Sequence, residues 1–162
     1  HHLYLAPTHH IESEHPEIKK TTREVLQGAL TSSEKVERLV NWISSEIKNE
    51  VVDSFSAAEV LHTRKGECQA HAMLYTAMAR AARIPTKMVG GIVYMEGMGF
   101  LYHSWAESFS GGWIAVDPTF NQVGVDATHI KLIEGHDWTS LLPIAKVVGK
   151  VKIIKLNYSC GE

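Results

Sequence analysis

The chain has 162 residues, 44% of them hydrophobic and 21% charged, with a formal net charge of −2. That is the length and composition of one globular domain with room for a substantial core, read here as a single unit over residues 1–162. The balance carries no electrostatic footprint for nucleic acid or an anionic membrane, and no apolar run approaches the roughly 18 residues of a membrane span. No signal-peptide pattern opens the chain. The start, HHLYLAPTHH, is abrupt, as in a piece cut from a longer protein, and its two leading histidines are candidates for a tag remnant.

After the extended LYLAPT segment, Ile18, Val25, Leu26 and Ala29 share one face of a helix beginning near Pro16. Thr31 and Glu34 have capping-box spacing ahead of Val36, Leu39, Val40, Ile43 and Ile47, which predicts a second helix. Ser56 and Glu59 repeat the spacing before a short helix ending near Leu61 or His62. The next helix is predicted from about Cys68 to Ala82, with Ala70, Met73, Leu74, Ala77, Met78 and Ala81 along one stripe. Methionines at such spacing read as core packing. Beyond Pro85 the period changes. TKMVGGIVY, LYHSWAESF and WIAVD are short, aromatic, β-branched and broken by glycines, which reads as strands. A last strand or pair is placed in KVVGKVKIIKLNY. Helices followed by antiparallel strands make an α+β domain with its sheet packed on the Cys68 helix.

Alternation puts Leu101, His103, Trp105, Glu107 and Phe109 on one face of the second strand, and Trp113, Ala115 and Asp117 on one face of the third. The turn in FSGG fixes their register. A two-residue Gly111-Gly112 loop sets Asp117 opposite Ala106. A three-residue loop with Gly111 left-handed, centred on Ser110, sets His103 opposite Asp117, within reach of an imidazole–carboxylate hydrogen bond. The second register is preferred because it explains a histidine and an aspartate on one face.

The two cysteines, Cys68 and Cys160, are too few for a disulfide framework, and Cys160 lies near the C-terminus, so both are expected to be free. Cys68 opens its helix, and two readings compete for it. Free cysteine is a common packing residue, whereas a thiol at a helix N-terminus gains from the helix dipole, and here from nearby Arg64 and Lys65. An imidazole that removes the thiol proton makes the sulfur a nucleophile, and a carboxylate behind it fixes the imidazole tautomer. The Cys68 backbone N–H is then one plausible oxyanion donor, with the second unread.

GECQAHA, ARAARIPTKMVGGI, HSWAES and GGWIAVDPT stand in that order across about fifty residues. As Gly-x-Cys, Arg-x-x-x-Ile-Pro-x-x-x-Val-x-Gly, His-x-Trp-x-Glu and Trp-x-x-x-Asp-Pro-Thr, they resemble the core of the transglutaminase-like superfamily. SAAEVLHTRKGEC and VGVDATHIKL resemble its bacterial members, and the likeness runs over roughly residues 3–135, most strongly from Ser56 to Leu132. It implies a papain-like α+β core with Cys68 as nucleophile, His103 as general base and acid, and Asp117 as the orienting carboxylate. Such proteins acylate the cysteine and resolve the thioester with water or an amine. Some crosslink proteins, some are peptidases or amidases, and some have lost catalysis. Their bacterial members give a lean towards an extracytoplasmic setting. Two departures stand out. Ala70 replaces a glutamate that often precedes His71 in relatives, removing a charge one turn from the nucleophile. Arg83-Ile84-Pro85 replaces the usual Gly-Ile-Pro and affects only a helix cap.

Rival readings attach to the same side chains. Cys68, His71, His103 and Asp117, with His62, are ligand types that zinc accepts, but Cys-x-x-His is one pair with no second pair at zinc-finger spacing. No acidic loop has calcium spacing. No metal or cofactor is therefore expected. Trp105 either shields His103 or packs in the core, and Glu107 either supports the site or ends the strand. His9, His10, His15, His129 and His136 belong to no constellation and read as surface residues, whereas Trp42, Trp113 and Trp138 read as packing. The expected function is thiol-dependent acyl transfer on amide bonds of a peptide or protein substrate, with hydrolysis favoured over crosslinking. The alternative is a non-catalytic module of the same fold that binds a protein or cell-wall peptide.

Overall fold

The structure, a computed structural model, describes residues 2–52, 56–147 and 150–151. Four helices precede most of the strands. Helix α1 (Pro16–Val25) starts on a proline whose fixed φ suits the first helical position. Helix α2 (Ser32–Glu46) carries the expected capping box, with Thr31 accepting from the Glu34 N–H and Glu34 accepting from the Thr31 N–H. Its buried face is Val36, Leu39, Val40 and Ile43. Helix α3 (Ala57–Thr63) follows Ser56, whose hydroxyl accepts from the Glu59 N–H.

Helix α4 (Cys68–Ala81) is the centre of the molecule. Every residue from Ala70 to Arg80 is buried, so the single apolar stripe expected from the sequence understates its role. Helices α1, α2 and α3 pack against it, and the sheet covers it through strands β3 (Thr86–Met95) and β4 (Gly99–Phe109). Its polar residues must therefore find partners inside. Arg80 does so as a staple, donating to the carbonyls of Thr86, Ala6 and His136 at 2.6–3.0 Å. One guanidinium thus joins the N-terminal segment, the start of β3 and the chain beyond the last described strand.

The main sheet is antiparallel, in the order β6-β5-β4-β3-β7, with β5 at Trp113–Asp117, β6 at Gln122–Val123 and β7 at His129–Gly135. The expected α+β class holds. Met88, Ala106 and Val116 stand in line across β3, β4 and β5, all fully buried in the core that contains α4. The β4–β5 loop has the expected three residues, with Gly111 at φ 78°. Its centre is Gly111 rather than Ser110, because Ala106 pairs with Val116. Asp117 therefore lies level with Trp105, and His103 is its diagonal neighbour, not its directly opposed one. The expected register is off by one step on each strand, but the parity that puts both side chains on one face survives.

Strand β7 was not expected. The region proposed for a last strand begins in a 3-10 helix (Trp138–Lys146), and residues 152–160, Cys160 included, lie outside the described residues. A short parallel bridge pairs β1 (Lys48–Asn49) with β2 (Lys65–Gly66), setting the chain after α2 beside the start of α4.

The end of α4 explains the Arg-Ile-Pro departure. The Arg83 N–H donates to the Arg80 carbonyl and the Ile84 N–H to the Ala79 carbonyl, both at 2.9 Å, which is a Schellman closure. Arg83 occupies its left-handed position at φ 64°, where a side chain costs about 1–2 kcal/mol. Arg83→Gly should raise stability by roughly 0.5–1 kcal/mol once glycine's greater unfolded-state freedom is deducted, as measured by urea unfolding.

Candidate active site

Cys68 is the first residue of α4, and the preceding Glu67 provides no side-chain cap. The first-turn N–H groups have no intrahelical acceptors and remain available to a bound group. The glycine of the Gly-x-Cys motif is a matter of space: a Cβ on Gly66 would collide with the Ala70 side chain. The thiol is partly exposed and lines the same cleft as His103. The two cations expected to assist it are engaged elsewhere. Arg64 lies 4.6 Å over the Trp42 ring, and Lys65 pairs with Glu50 at 2.9 Å. His71 is not free for a metal, since its two ring nitrogens face the carbonyls of Glu67 and Ile47 at 2.9 and 3.2 Å. His62 is exposed.

His103 reaches Asp117 through Nε2, 2.5 Å from Oδ2, which leaves Nδ1 as its second ring nitrogen. Asp117 is fully buried and saturated with donors. Its Oδ1 accepts from the N–H groups of Thr119 and Phe120 at 2.7 and 3.3 Å, the turn that Asp-Pro-Thr encodes. Its Oδ2 also accepts from His129 Nε2 at 3.1 Å. His129 is thus no surface residue; its side chain is 1% exposed. The strand periodicity of ATHIKL, close after Asp117, was the signal that could have found it.

The sheet's curvature brings these groups together. Strands β5 and β7 are three spacings apart, about 14 Å in a flat sheet, yet Asp117 and His129 touch. The pairing of β3 with β7 shifts register between Gly90 and Gly91, and such an irregularity bends a sheet. Gly91 also lacks the Cβ that would strike the Ile130 carbonyl and the Trp105 ring. Buried Trp105 stacks on His103 at 6.1 Å, combining its two expected roles, and Phe120, unread in the sequence, stacks at 4.8 Å. Glu107 belongs instead to an ion-pair network with Lys87 and Lys131, at 3.0 and 2.7 Å. Beside Cys68 and His103 opens a cleft of about 190 Å³, walled by Asn49, Leu101, Tyr102 and Phe120.

Among the described residues, His103, Asp117 and His129 are the three side chains close enough to share a metal. Their contacts of 2.5 and 3.1 Å to a single oxygen are hydrogen-bond spacings. Zinc ligands held at about 2.0–2.2 Å in a tetrahedron stand farther apart, so the arrangement suits protons.

Burial alone would lower the His103 pKa, but the hydrogen bonds and charges of Asp117 and Cys68 outweigh it and raise it to about 9. Burial pushes Asp117 up, and the His103 hydrogen bond and charge, with help from His129 and Thr119, bring it below the ordinary carboxylate value. The raised imidazole contributes stability that is complete below its ordinary 6.5 and lost as pH rises through about 9. The lowered carboxylate contributes stability that is present above 3.8 and lost on acidification. The stability gap between the wild type and His103→Gln, from urea unfolding across pH, should be widest between about pH 4 and 6.5 and narrow towards pH 9. A gap that stays constant over that upper range contradicts the ion pair.

Comparison with known proteins agrees with this architecture. A model of the transglutaminase-like superfamily matches residues 19–118. An uncharacterized protein of Mycobacterium leprae is 30% identical over 99 residues, 55% of this chain and 34% of its own length. Mouse kyphoscoliosis peptidase is 28% identical over 131 residues, 70% of this chain and 20% of the relative. The chain thus spans 34% and 20% of the lengths of these two relatives. Among solved structures, a candidate cysteine protease from Cytophaga hutchinsonii superposes with a TM-score of 0.74 at 23% identity, covering 85% of this chain and 47% of that one. The periplasmic domain of TgpA from Pseudomonas aeruginosa gives 0.53 at 26% identity, covering 73% and 46%. With this fold and a family model matched over more than half its length, the chain belongs to the transglutaminase-like superfamily.

Proposed function

We propose that this domain is a thiol-dependent acyl-transfer enzyme acting on amide bonds of peptides or proteins, with Cys68, His103 and Asp117 as its catalytic triad. The opening of the Cys68 thiol and His103 onto one cleft, with His103 bonded to buried Asp117, carries this reading. His103 Nδ1 takes the thiol proton, and the sulfur attacks the amide carbon. The resulting oxyanion meets the Cys68 N–H, freed from helix bonding by its position. The imidazolium then returns the proton to the departing amine, leaving a thioester. His103 next removes a proton from water, whose oxygen replaces sulfur at the acyl carbon, and the thiol reforms with release of the acid. Asp117 keeps the Nε2 proton in place and stabilises the cationic ring.

Hydrolysis is favoured over amine transfer because Cys68 is partly exposed on an open cleft, where water is the abundant acceptor. A non-catalytic binding module would be favoured by a buried thiol or by a cysteine out of reach of His103. Cys68 is partly exposed and lines one cleft with His103, which supports the enzyme over the binding module. An extracytoplasmic setting remains part of the proposal, on the precedent of the periplasmic TgpA domain.

The test is turnover of a peptide library, with and without a primary amine, followed by mass spectrometry. Wild type should release acid products, Cys68→Ala should release none, and Asp117→Asn should lower kcat by about 10²–10⁴-fold. Products that carry the amine in preference to water overturn the hydrolytic reading. Binding without turnover, equal in wild type and Cys68→Ala, overturns the enzyme.

A further inference from the structure

We infer that His129 is a positioning residue that fixes the Asp117 carboxylate for His103, extending the series to Cys68–His103–Asp117–His129; this rests on the acyl-transfer reading above. His129 comes from β7, at the opposite end of the sheet from β5, and would not meet Asp117 unless the sheet curled. Its Nε2 must carry a proton to donate to Asp117 Oδ2 at 3.1 Å. On its other side, Nδ1 faces Asp126 Oδ1 and Thr128 Oγ1, each at 3.3 Å. The edge of the Trp105 ring closes the third direction, with centroids 5.2 Å apart at 83°. The charged and titratable groups in contact with it are therefore Asp117 from β5, His103 from β4 across a ring distance of 5.7 Å, and Asp126 from the loop before β7.

The need for such a residue follows from the aspartate's own freedom. An aspartate χ2 is a broad torsion. The Thr119 and Phe120 N–H groups hold Oδ1, but Oδ2 would otherwise be set by His103 alone, the ring that must move protons. A second donor on Oδ2 defines the carboxylate plane independently of the state of His103. His129 supplies that donor from a strand that takes no part in the β4–β5 hairpin. Its role is geometric and acts through Asp117, since its own ring does not line the cleft and meets Phe120 only edge to face, with centroids 6.1 Å apart.

The experiment compares His129→Leu, which removes the donor, with His129→Gln, whose side-chain N–H reaches about the place of Nε2. Two readouts are taken: the steady-state kinetics of amide hydrolysis, and the downfield proton resonance of the His103–Asp117 hydrogen bond, identified by its loss in Asp117→Asn. His129→Leu should lower kcat by about 10–100-fold with KM near wild type, and should broaden or shift the resonance. His129→Gln should restore most of both. Wild-type values of both in the leucine variant overturn the inference, as does a glutamine variant that folds yet behaves like leucine. Should leucine not fold, the glutamine variant decides alone, with retained rate and resonance in support and their loss against. Should wild type hydrolyse no amide, the acyl-transfer reading fails while the resonance still reports whether His129 positions Asp117.

Discussion

Helix α4 is buried along nearly its whole length, and the arrangement of the site depends on that burial. A helix enclosed by three others and by β3 and β4 has little freedom to slide or rotate in close-packed surroundings. Its first residue is consequently fixed against the end of β4 that carries His103. Gly66 lets the chain enter the helix tightly, His71 ties its first turn to the carbonyl of Ile47, and the Arg80 guanidinium secures its last turn to three segments. The thiol gains its position from packing around it rather than from any interaction of its own.

A second constraint acts from the sheet. Curling brings β5 and β7 close enough for Asp117 and His129 to share a proton network under Trp105 and Phe120. Aromatic cover limits water around His103, so its bond to Asp117 counts for more than it would at a surface. Charge in the neighbourhood is otherwise used up locally: Lys65 by Glu50, and Lys87 and Lys131 by Glu107 and Glu134. The imidazole therefore answers mainly to Asp117 and Cys68.

Much of this was legible in the sequence because it is local. The capping box at Thr31, the N-cap at Ser56, the run from Cys68 to Ala81 and the alternating LYHSWAESF segment each carry their signal within a few residues. That Cys68, His103 and Asp117 belong together was legible through spacing and through the resemblance to a family of known motifs. What escaped depends on distant parts of the chain. The register of the β4–β5 hairpin turned on where a three-residue loop is centred, a difference that composition does not encode. His129 looked solitary because its partners lie on strands that meet it only after the sheet curls, and the curl depends on an irregularity at Gly90 and Gly91. Phe120 escaped for the same reason. Arg83 was read as a harmless change of cap, and the structure gives it a left-handed backbone with a definite cost.

We propose that His103 makes Cys68 a nucleophile. The direct measurement is the rate of Cys68 alkylation by iodoacetamide at about pH 6, well below the ordinary thiol pKa of roughly 8.5, quantified by mass spectrometry with Cys160 as reference. The account requires Cys68 to react much faster than Cys160 and His103→Ala to remove that advantage. Equal rates for the two cysteines, or a Cys68 rate unchanged by His103→Ala, would contradict it.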